Sequence, residues 1–193
     1  MTPTQTPPPQ AAPRPMTAEE FGNRYSGDHV EYINGQVREI PMAGAQHGEV
    51  VNLAAFHLTT YTRSNRLGRV FAADTFVRVP TRSDPQRVYG ADVAYVPFAL
   101  LPPEVPSPKG VLPVTPPLVV EVKSPFDTWT GLFEKVEDYL AAGVAVVVVI
   151  DPDDRVGAVH RPGAAQQPFA VGDTLTLPDV LPGFAVAVAE LFE

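Results

Sequence analysis

Three charged residues interrupt segments that are otherwise apolar, and their types could support chemistry. Glu121 and Lys123 lie two apart in residues 118–123, LVVEVK, which has the composition of a buried strand. Because side chains alternate along a strand, the carboxylate and the ammonium are expected on one face. Charges on a buried strand are costly unless they pair with each other or hold a metal ion. The segment therefore predicts either a plain ion pair or part of a metal site.

Asp92 is the single acid in residues 88–96, where its neighbours are small and apolar. It is either an edge aspartate or, if this segment pairs with residues 118–123, a partner of Glu121 on one cation. Two carboxylates are enough for Mg²⁺ or Mn²⁺ when the ion keeps several waters. Such a metal ion activates water and stabilises charge on a phosphate, with Lys123 neutralising or orienting the hydroxide. The pattern predicts phosphodiester hydrolysis without a covalent intermediate.

The elements that position these residues can be predicted from periodicity and turn signals. Thr17 and Glu20 have the spacing of a capping box, which predicts a helix over residues 18–25. Asn34-Gly35 predicts a two-residue hairpin turn between strands 29–33 and 36–40. Apolar residues at three- and four-residue steps predict a longer helix over residues 47–65.

The rest of the chain predicts a mixed sheet flanked by helices, of the α/β (α+β) class. Residues 118–123, 130–142 and 144–150 read as a strand-helix-strand unit, whose strands are buried on both faces. A proline-rich irregular connection is expected over residues 97–117. Further strands are expected at residues 69–72, 75–79, 88–96, 156–161, 167–171 and 174–177.

Composition limits the domain organisation and the class of protein. The chain has 193 residues, of which 45% are hydrophobic, so a single domain over residues 16–193 is expected. Residues 1–15 hold six prolines and predict a disordered tail. No apolar stretch approaches the roughly 20 residues of a membrane span, and there is no secretory signal, so a cytoplasmic protein is expected. The lack of cysteine excludes disulfides and thiolate metal sites.

The net charge of −8 weighs against a nucleic-acid enzyme, because phosphate contacts draw on Lys and Arg. Six arginines nevertheless fall within one quarter of the chain, as either a local basic face or an ordinary solvated surface. They are Arg63, Arg66, Arg69, Arg78, Arg82 and Arg87. The glycine-containing segments show neither a phosphate-binding loop nor a dinucleotide fingerprint, so no nucleotide cofactor is expected.

An acid on one strand, a spacer of about 30 residues and then Glu-x-Lys resembles the PD-(D/E)XK nuclease superfamily. More specifically, the chain resembles the Uma-type family of restriction-endonuclease-like proteins from residue 16 to residue 193. The matching segments are residues 17–21, 31–35, 47, 73–75, 91–96, 119–125, 135, 139–144, 151–152 and 181–184.

The resemblance implies a restriction-endonuclease-like fold, a DNA substrate, a Mg²⁺ or Mn²⁺ cofactor and a homodimer. Asp92 and Glu121 would bind the metal ion, with the backbone carbonyl of Val122 as a further ligand. The family commonly carries its lysine on the helix after the strand, where Lys135 stands. This chain has both Lys123 and Lys135, so the catalytic lysine is left open.

The chain also departs from the family at the start of the second helix. Relatives often place an acid before the histidine, whereas Gln46 precedes His47 here, so a third acidic ligand is missing or Glu49 takes its place. His47 is either a structural partner or an active-site contact. Glu31 and Asp74 are expected to be structural. The departure also permits a second function, a catalytically inactive nuclease-fold protein that binds or regulates.

Overall fold

The computed structural model describes residues 14–193, and residues 1–13 of the predicted tail lie outside the described residues. The helices are α1 (Ala18–Tyr25), α2 (Ala45–Ser64), α3 (Trp129–Ala141) and a 3-10 turn (Val188–Leu191). The strands are β1 (Val30–Ile33), β2 (Gln36–Glu39), β3 (Gly68–Arg78), β4 (Val88–Pro97), β5 (Leu118–Val122), β6 (Val146–Asp151), β7 (Val156–His160), β8 (Gln167–Ala170), β9 (Thr174–Leu177) and β10 (Leu181–Ala187).

Eight of these strands form one mixed sheet, and β9 and β10 form a separate hairpin. The main path of the sheet is β2-β1-β4-β5-β6-β7-β8, with β3 also paired to β4. Only β5 and β6 pair in parallel, because α3 connects them as a crossover. The predicted strand-helix-strand unit and the predicted mixed sheet are confirmed.

Strand β4 is the centre of the sheet and has three partners. β3 follows one edge of β4 along its whole length, so β1 and β5 must share the other edge. β1 pairs there at Val88, and β5 pairs at Val93, Ala94 and Tyr95. The edge of β4 between these two partners is left open over four residues, from Tyr89 to Asp92.

Helices cover both faces of the sheet. On one face α2 packs Val50, Ala54 and Leu58 against side chains of β4, β5 and β6. On the other face α3 packs Leu132 and Val136 against the opposite side chains of the same strands. Burial on both faces explains the continuous valine run of β6, as the sequence predicted.

The predicted N-terminal elements are also present. The Thr17 hydroxyl accepts the Glu20 N–H at 3.1 Å, and the Thr17 N–H donates to the Glu20 carboxylate at 2.8 Å, which completes the capping box of α1. Asn34 and Gly35 both have positive φ, as a tight turn between β1 and β2 requires. Phe21, Tyr32 and Phe76 join α1 to the sheet in a small core.

Several boundaries differ from the prediction. Helix α2 begins at Ala45 instead of residue 47, and β10 was not predicted, because Pro182 and Gly183 indicate a turn. The two strands expected at residues 69–72 and 75–79 are one strand, interrupted by a bulge at Ala73 and Asp74. No helix within residues 14–193 is long and apolar enough to cross a membrane.

Candidate active site

Asp92 and Glu121 meet where β5 leaves the open edge of β4. The antiparallel register pairs Val93 with Val120, so Asp92 and Glu121 each lie directly beside the last pair of the ladder. The Asp92 carboxylate also accepts the Val122 N–H at 2.7 Å, so a side chain replaces the next backbone bond of the ladder. Both carboxyl groups are buried, as the sequence predicted.

Helix α3 supplies the groups that contact Glu121. Lys135 and Tyr139 lie four residues apart and therefore on one face of the helix. The Lys135 ammonium lies 3.0 Å from Glu121 Oε2, and the Tyr139 hydroxyl donates to Glu121 Oε1 at 2.8 Å. Thr128 caps the start of α3 and fixes where these residues fall along the strand. Tyr139 was not singled out from the sequence, although a tyrosine on the apolar face of a helix needs a buried acceptor.

Lys135 has two further partners. Its ammonium lies 3.0 Å from Glu31 Oε1 and donates to the Gly90 carbonyl at 3.1 Å. The Gly90 carbonyl is accessible because it lies on the open edge of β4. Lys135 therefore donates two hydrogen bonds, to Glu121 and to Gly90, and forms an ion pair with Glu31. Glu31, which was expected to be structural, is therefore in direct contact with the site.

Lys123 does not form the expected ion pair with Glu121. Strand β5 ends at Val122, and the Lys123 ammonium lies 3.4 Å from Asp151 and 3.9 Å from Asp153. It also lies over the ring of Trp129, 5.5 Å from the centroid. Alternation predicted that the two side chains lie side by side, but the Lys123 ammonium pairs with acids at the end of β6 instead. Of the two candidate lysines, the structure brings Lys135 to Glu121.

The first turn of α2 contributes His47 to the site but neither Gln46 nor Glu49. His47 Nε2 lies 3.4 Å from Asp92 Oδ2, and its side chain is mostly buried. Gln46 donates to the Pro152 carbonyl at 3.2 Å, and Glu49 is exposed and outside the lining of the cleft. Within residues 14–193, no three His, Asp or Glu side chains are grouped closely enough to form a metal site by themselves.

The bulge of β3 brings Asp74 to the same region. Ala72 pairs with Val93 and Thr75 with Ala91, so the bulge residues lie opposite Asp92. Asp74 forms an ion pair with His29 at 3.0 Å. Burial raises the pKa of the Asp74 carboxyl, and the charge of Asp92 raises it further. Asp74, which was also expected to be structural, therefore adds negative charge beside the two central acids.

The electrostatics of the site depend on this crowding of acids. Burial raises the pKa of the Glu121 carboxyl, while the Lys135 ammonium acts in the opposite direction. Burial lowers the pKa of His47, but the hydrogen bond to Asp92, its charge and the Val122 carbonyl outweigh burial, so the pKa ends above its usual value. An ionised Glu121 in this position depends on a neighbouring cation.

These groups line an open cleft of about 850 Å³ between α2, α3 and the β1–β2 hairpin. Its acidic lining residues are Glu31, Asp74, Asp92, Glu121, Asp127, Glu134 and Asp138, and its basic ones are Arg38, Arg87 and Lys135. Arg87 is already paired with Asp84 and Asp138, and Lys135 with Glu31 and Glu121. The cleft therefore carries an excess of negative charge.

The residues present fit a hard divalent cation. Asp92 and Glu121 both offer carboxylate oxygens to the cleft. Each Glu121 oxygen accepts one hydrogen bond and keeps a lone pair, and Asp92 receives both of its contacts at Oδ2, which leaves Oδ1 for a ligand. Mg²⁺ is satisfied by one or two carboxylates when water completes its shell, so a third acidic side chain is not required. The surplus of carboxylates over ammonium and guanidinium groups favours the binding of a cation at this point.

Comparisons with known proteins agree with this fold. A family model described as "Putative restriction endonuclease", Uma2, matches residues 18–189. A crystal structure of "a putative nuclease belonging to DUF820" from Anabaena variabilis superposes with a TM-score of 0.74 at 19% identity, covering 92% of this chain and 98% of that chain. The expected nuclease-like fold is confirmed. No curated protein of known function matches the chain significantly. The match over most of its length shows that the chain belongs to the Uma2 family.

Proposed function

We propose that the protein is a metal-dependent DNA endonuclease that hydrolyses phosphodiester bonds. The observation that carries this proposal is that Asp92, Glu121 and Lys135 line one open cleft, with the Lys135 ammonium 3.0 Å from Glu121. Two buried carboxylates from neighbouring strands and one ammonium provide the groups that phosphodiester hydrolysis with a bound metal ion requires. Membership of a family described as "Putative restriction endonuclease" supports the same reaction class.

The roles of the residues follow from their contacts. Asp92 and Glu121 would hold Mg²⁺ or Mn²⁺, with the Val122 carbonyl as a further ligand. When bound, the ion would supply Lewis-acid stabilisation and a more acidic water. Lys135 would orient the attacking hydroxide or neutralise charge on the phosphate, because its ammonium already lies at Glu121. His47 would hold the Asp92 carboxylate in place through the contact at Oδ2.

The acidic cleft gives a reason for a metal requirement. A DNA phosphate approaching seven carboxylates and three basic groups is repelled unless bound cations offset the charge. Both Arg87 and Lys135 are already paired, which leaves Arg38 as the exposed basic group at the cleft. We therefore expect DNA binding, as well as cleavage, to need the divalent ion.

Incubation with supercoiled plasmid and single-stranded DNA tests the proposal. Cleavage with Mn²⁺ or Mg²⁺, abolished by chelation and by Glu121→Gln, is the expected result. Glu137→Gln is a matched control, because Glu137 is exposed on α3 and lies outside the cleft lining. Cleavage that persists in Glu121→Gln would overturn the assignment of the site.

A second candidate is a nuclease-fold protein that binds DNA without cutting it. The observation in its favour is that the Lys135 ammonium is already held by protein groups, through hydrogen bonds to Glu121 and Gly90 and an ion pair with Glu31. This candidate predicts that DNA is bound but stays intact with every divalent ion. A gel-shift assay beside the cleavage assay distinguishes the two candidates. The expected homodimer and the single domain over residues 16–193 stay predictions.

A further inference from the structure

Glu31 and Glu121 hold the Lys135 ammonium from opposite sides of the open edge of β4. Glu31 belongs to β1 and Glu121 to β5, and each places an oxygen 3.0 Å from the same nitrogen. Glu121 lies on β5, which pairs with β4 from Val93, next to Asp92, whereas β1 pairs with β4 at Val88. The ammonium is therefore shared between a carboxylate in the proposed metal site and one outside it.

The β1–β2 hairpin would favour a contact of Glu31 with Arg38 and not with Lys135. Its cross-strand neighbour in β2 is Arg38, which is exposed, yet the Glu31 carboxylate points into the cleft and pairs with Lys135. The Glu31 side chain is 15% exposed and the Lys135 side chain 19%. The Glu31 carboxylate is largely buried although Arg38 lies opposite it in the strand pair. Its position is therefore determined by contacts inside the cleft and not by an ion pair at the surface.

A divalent ion at Asp92 and Glu121 changes the balance around Lys135. The ion would draw on the negative charge of Glu121 and would repel the ammonium, so the contact with Glu121 weakens. Without another carboxylate, a mostly buried ammonium would be left with the Gly90 carbonyl alone, which is unfavourable. Glu31 is the remaining acid in contact with Lys135, and it is not expected to bind the ion.

We propose that Glu31 is a positioning residue that keeps the Lys135 ammonium in the cleft once a divalent ion has occupied Asp92 and Glu121. The inference rests on the proposed function, since it assumes the metal site, and it concerns the placement of the lysine and not the chemistry itself. Without Glu31, the metal-bound protein would lose its lysine to solvent although the metal ion remained.

The ammonium signal of Lys135 in a ¹H–¹⁵N NMR spectrum tests this placement without any activity assay. The protons of a hydrogen-bonded ammonium exchange slowly with water and give a visible signal, whereas those of a solvated ammonium do not. The signal that disappears in Lys135→Gln is assigned to Lys135. The wild type should keep the signal with and without Mg²⁺. Glu31→Gln should keep it without Mg²⁺, where Glu121 still holds the lysine, and lose it with saturating Mg²⁺. Glu39→Gln, on the exposed strand β2, is the control and should behave as the wild type.

Two outcomes would overturn the inference: a signal that persists in Mg²⁺-loaded Glu31→Gln, or a signal that the wild type loses on adding Mg²⁺. If Glu31→Gln does not fold, Glu31→Thr replaces it, because threonine is favoured in strands and also removes the carboxylate. Absence of any Mg²⁺-dependent shift at Asp92 and Glu121 in the wild type would instead contradict the metal site. That result would contradict both the proposed function and this inference. Failure of the inference alone differs from it, because the wild type would then still show Mg²⁺ binding.

Cleavage kinetics provide a second readout. Glu31→Gln should lower kcat at saturating Mn²⁺ by about 10-fold or more, less than the roughly 100- to 10,000-fold attributed to a proton-transfer group itself, because the lysine is displaced and not removed. Its Mn²⁺ affinity and its KM for DNA should stay within about threefold of wild type, because neither depends on the lysine. Glu31→Asp should recover part of the rate. A wild-type kcat in Glu31→Gln would reject the role.

Discussion

The Lys135 ammonium lies 3.0 Å from the Glu121 carboxylate, although the two residues are 14 positions apart and belong to a helix and a strand. The closer lysine in the sequence, Lys123, pairs instead with Asp151 and Asp153. The crossover from β5 through α3 brings the distant lysine to the strand end. This relationship makes the two lysines separable by experiment.

Lys135→Ala is expected to lower the cleavage rate by about 100-fold or more, as removal of a positioned catalytic group does. Lys123→Ala should stay within a few-fold of wild type, because its ammonium contacts acids outside the proposed metal site. Single-turnover cleavage of plasmid with Mn²⁺ measures both rates. Calorimetric titration should find Mn²⁺ still bound by each variant. A larger loss in Lys123→Ala than in Lys135→Ala would contradict the assignment.

Tyr139→Phe should destabilise the protein by about 1–3 kcal/mol, because it keeps the ring but leaves a buried Glu121 oxygen without its donor. Urea unfolding at neutral pH in the absence of divalent ions measures the change. Tyr25→Phe is the control, since Tyr25 is only half-buried, and should change the free energy of unfolding by less than about 0.5 kcal/mol. Equal effects of the two substitutions would show that the Tyr139 hydroxyl contributes nothing specific.

The positions of the two acids were predictable because they depend on local patterns. Asp92 and Glu121 each interrupt an apolar strand, and a lone acid in such a strand is costly enough to be informative. The capping box of α1 and the Asn34-Gly35 turn were predictable for the same reason, since each is determined by neighbouring residues. The β5–α3–β6 unit was predictable because the apolar pattern changes between the compact runs of the two strands and the helical spacing between them.

Contacts between distant elements were not predictable from those patterns. Glu31 reaches Lys135 only because β1 and β5 share one edge of β4, and that arrangement depends on the register of three strands. The bulge at Ala73 and Asp74 could not be read as a bulge, because two residues with positive φ that are not glycine have no sequence signal. The partner of Lys123 was predicted wrongly because alternation indicates the face of a side chain and not the acid with which it pairs.

His160 should make stability fall more steeply towards acid pH than it does in a His160→Gln variant. Burial lowers the pKa of His160, and its Nε2 is buried without a hydrogen-bond partner among the described residues. The folded state therefore holds the neutral ring more strongly than the unfolded chain does. Stability from this group is complete above the unfolded pKa of about 6.5 and is lost as pH falls through the folded pKa.

Urea unfolding at pH 7.5 and pH 5.5 measures the pH effect of His160. The wild type should lose more stability between the two values than His160→Gln does, because the variant has no ring to protonate. His57→Gln, at a half-buried position on α2, is the control and should keep the wild-type difference. The same loss in wild type and His160→Gln would show that other groups cause the pH dependence.

Asp92→Asn should separate metal binding from folding. The amide oxygen can still accept the Val122 N–H, and the loss of one charge relieves repulsion in an acidic cleft, so the free energy of unfolding without metal should equal or exceed that of wild type. Mn²⁺ affinity should fall by more than about 10-fold, since even outer contacts of a metal site cost that much. Asp154→Asn makes the same charge change at an exposed position and should leave Mn²⁺ affinity unchanged. Calorimetric titration of both variants decides the matter, and equal Mn²⁺ affinity in Asp92→Asn and wild type would remove Asp92 from the metal site.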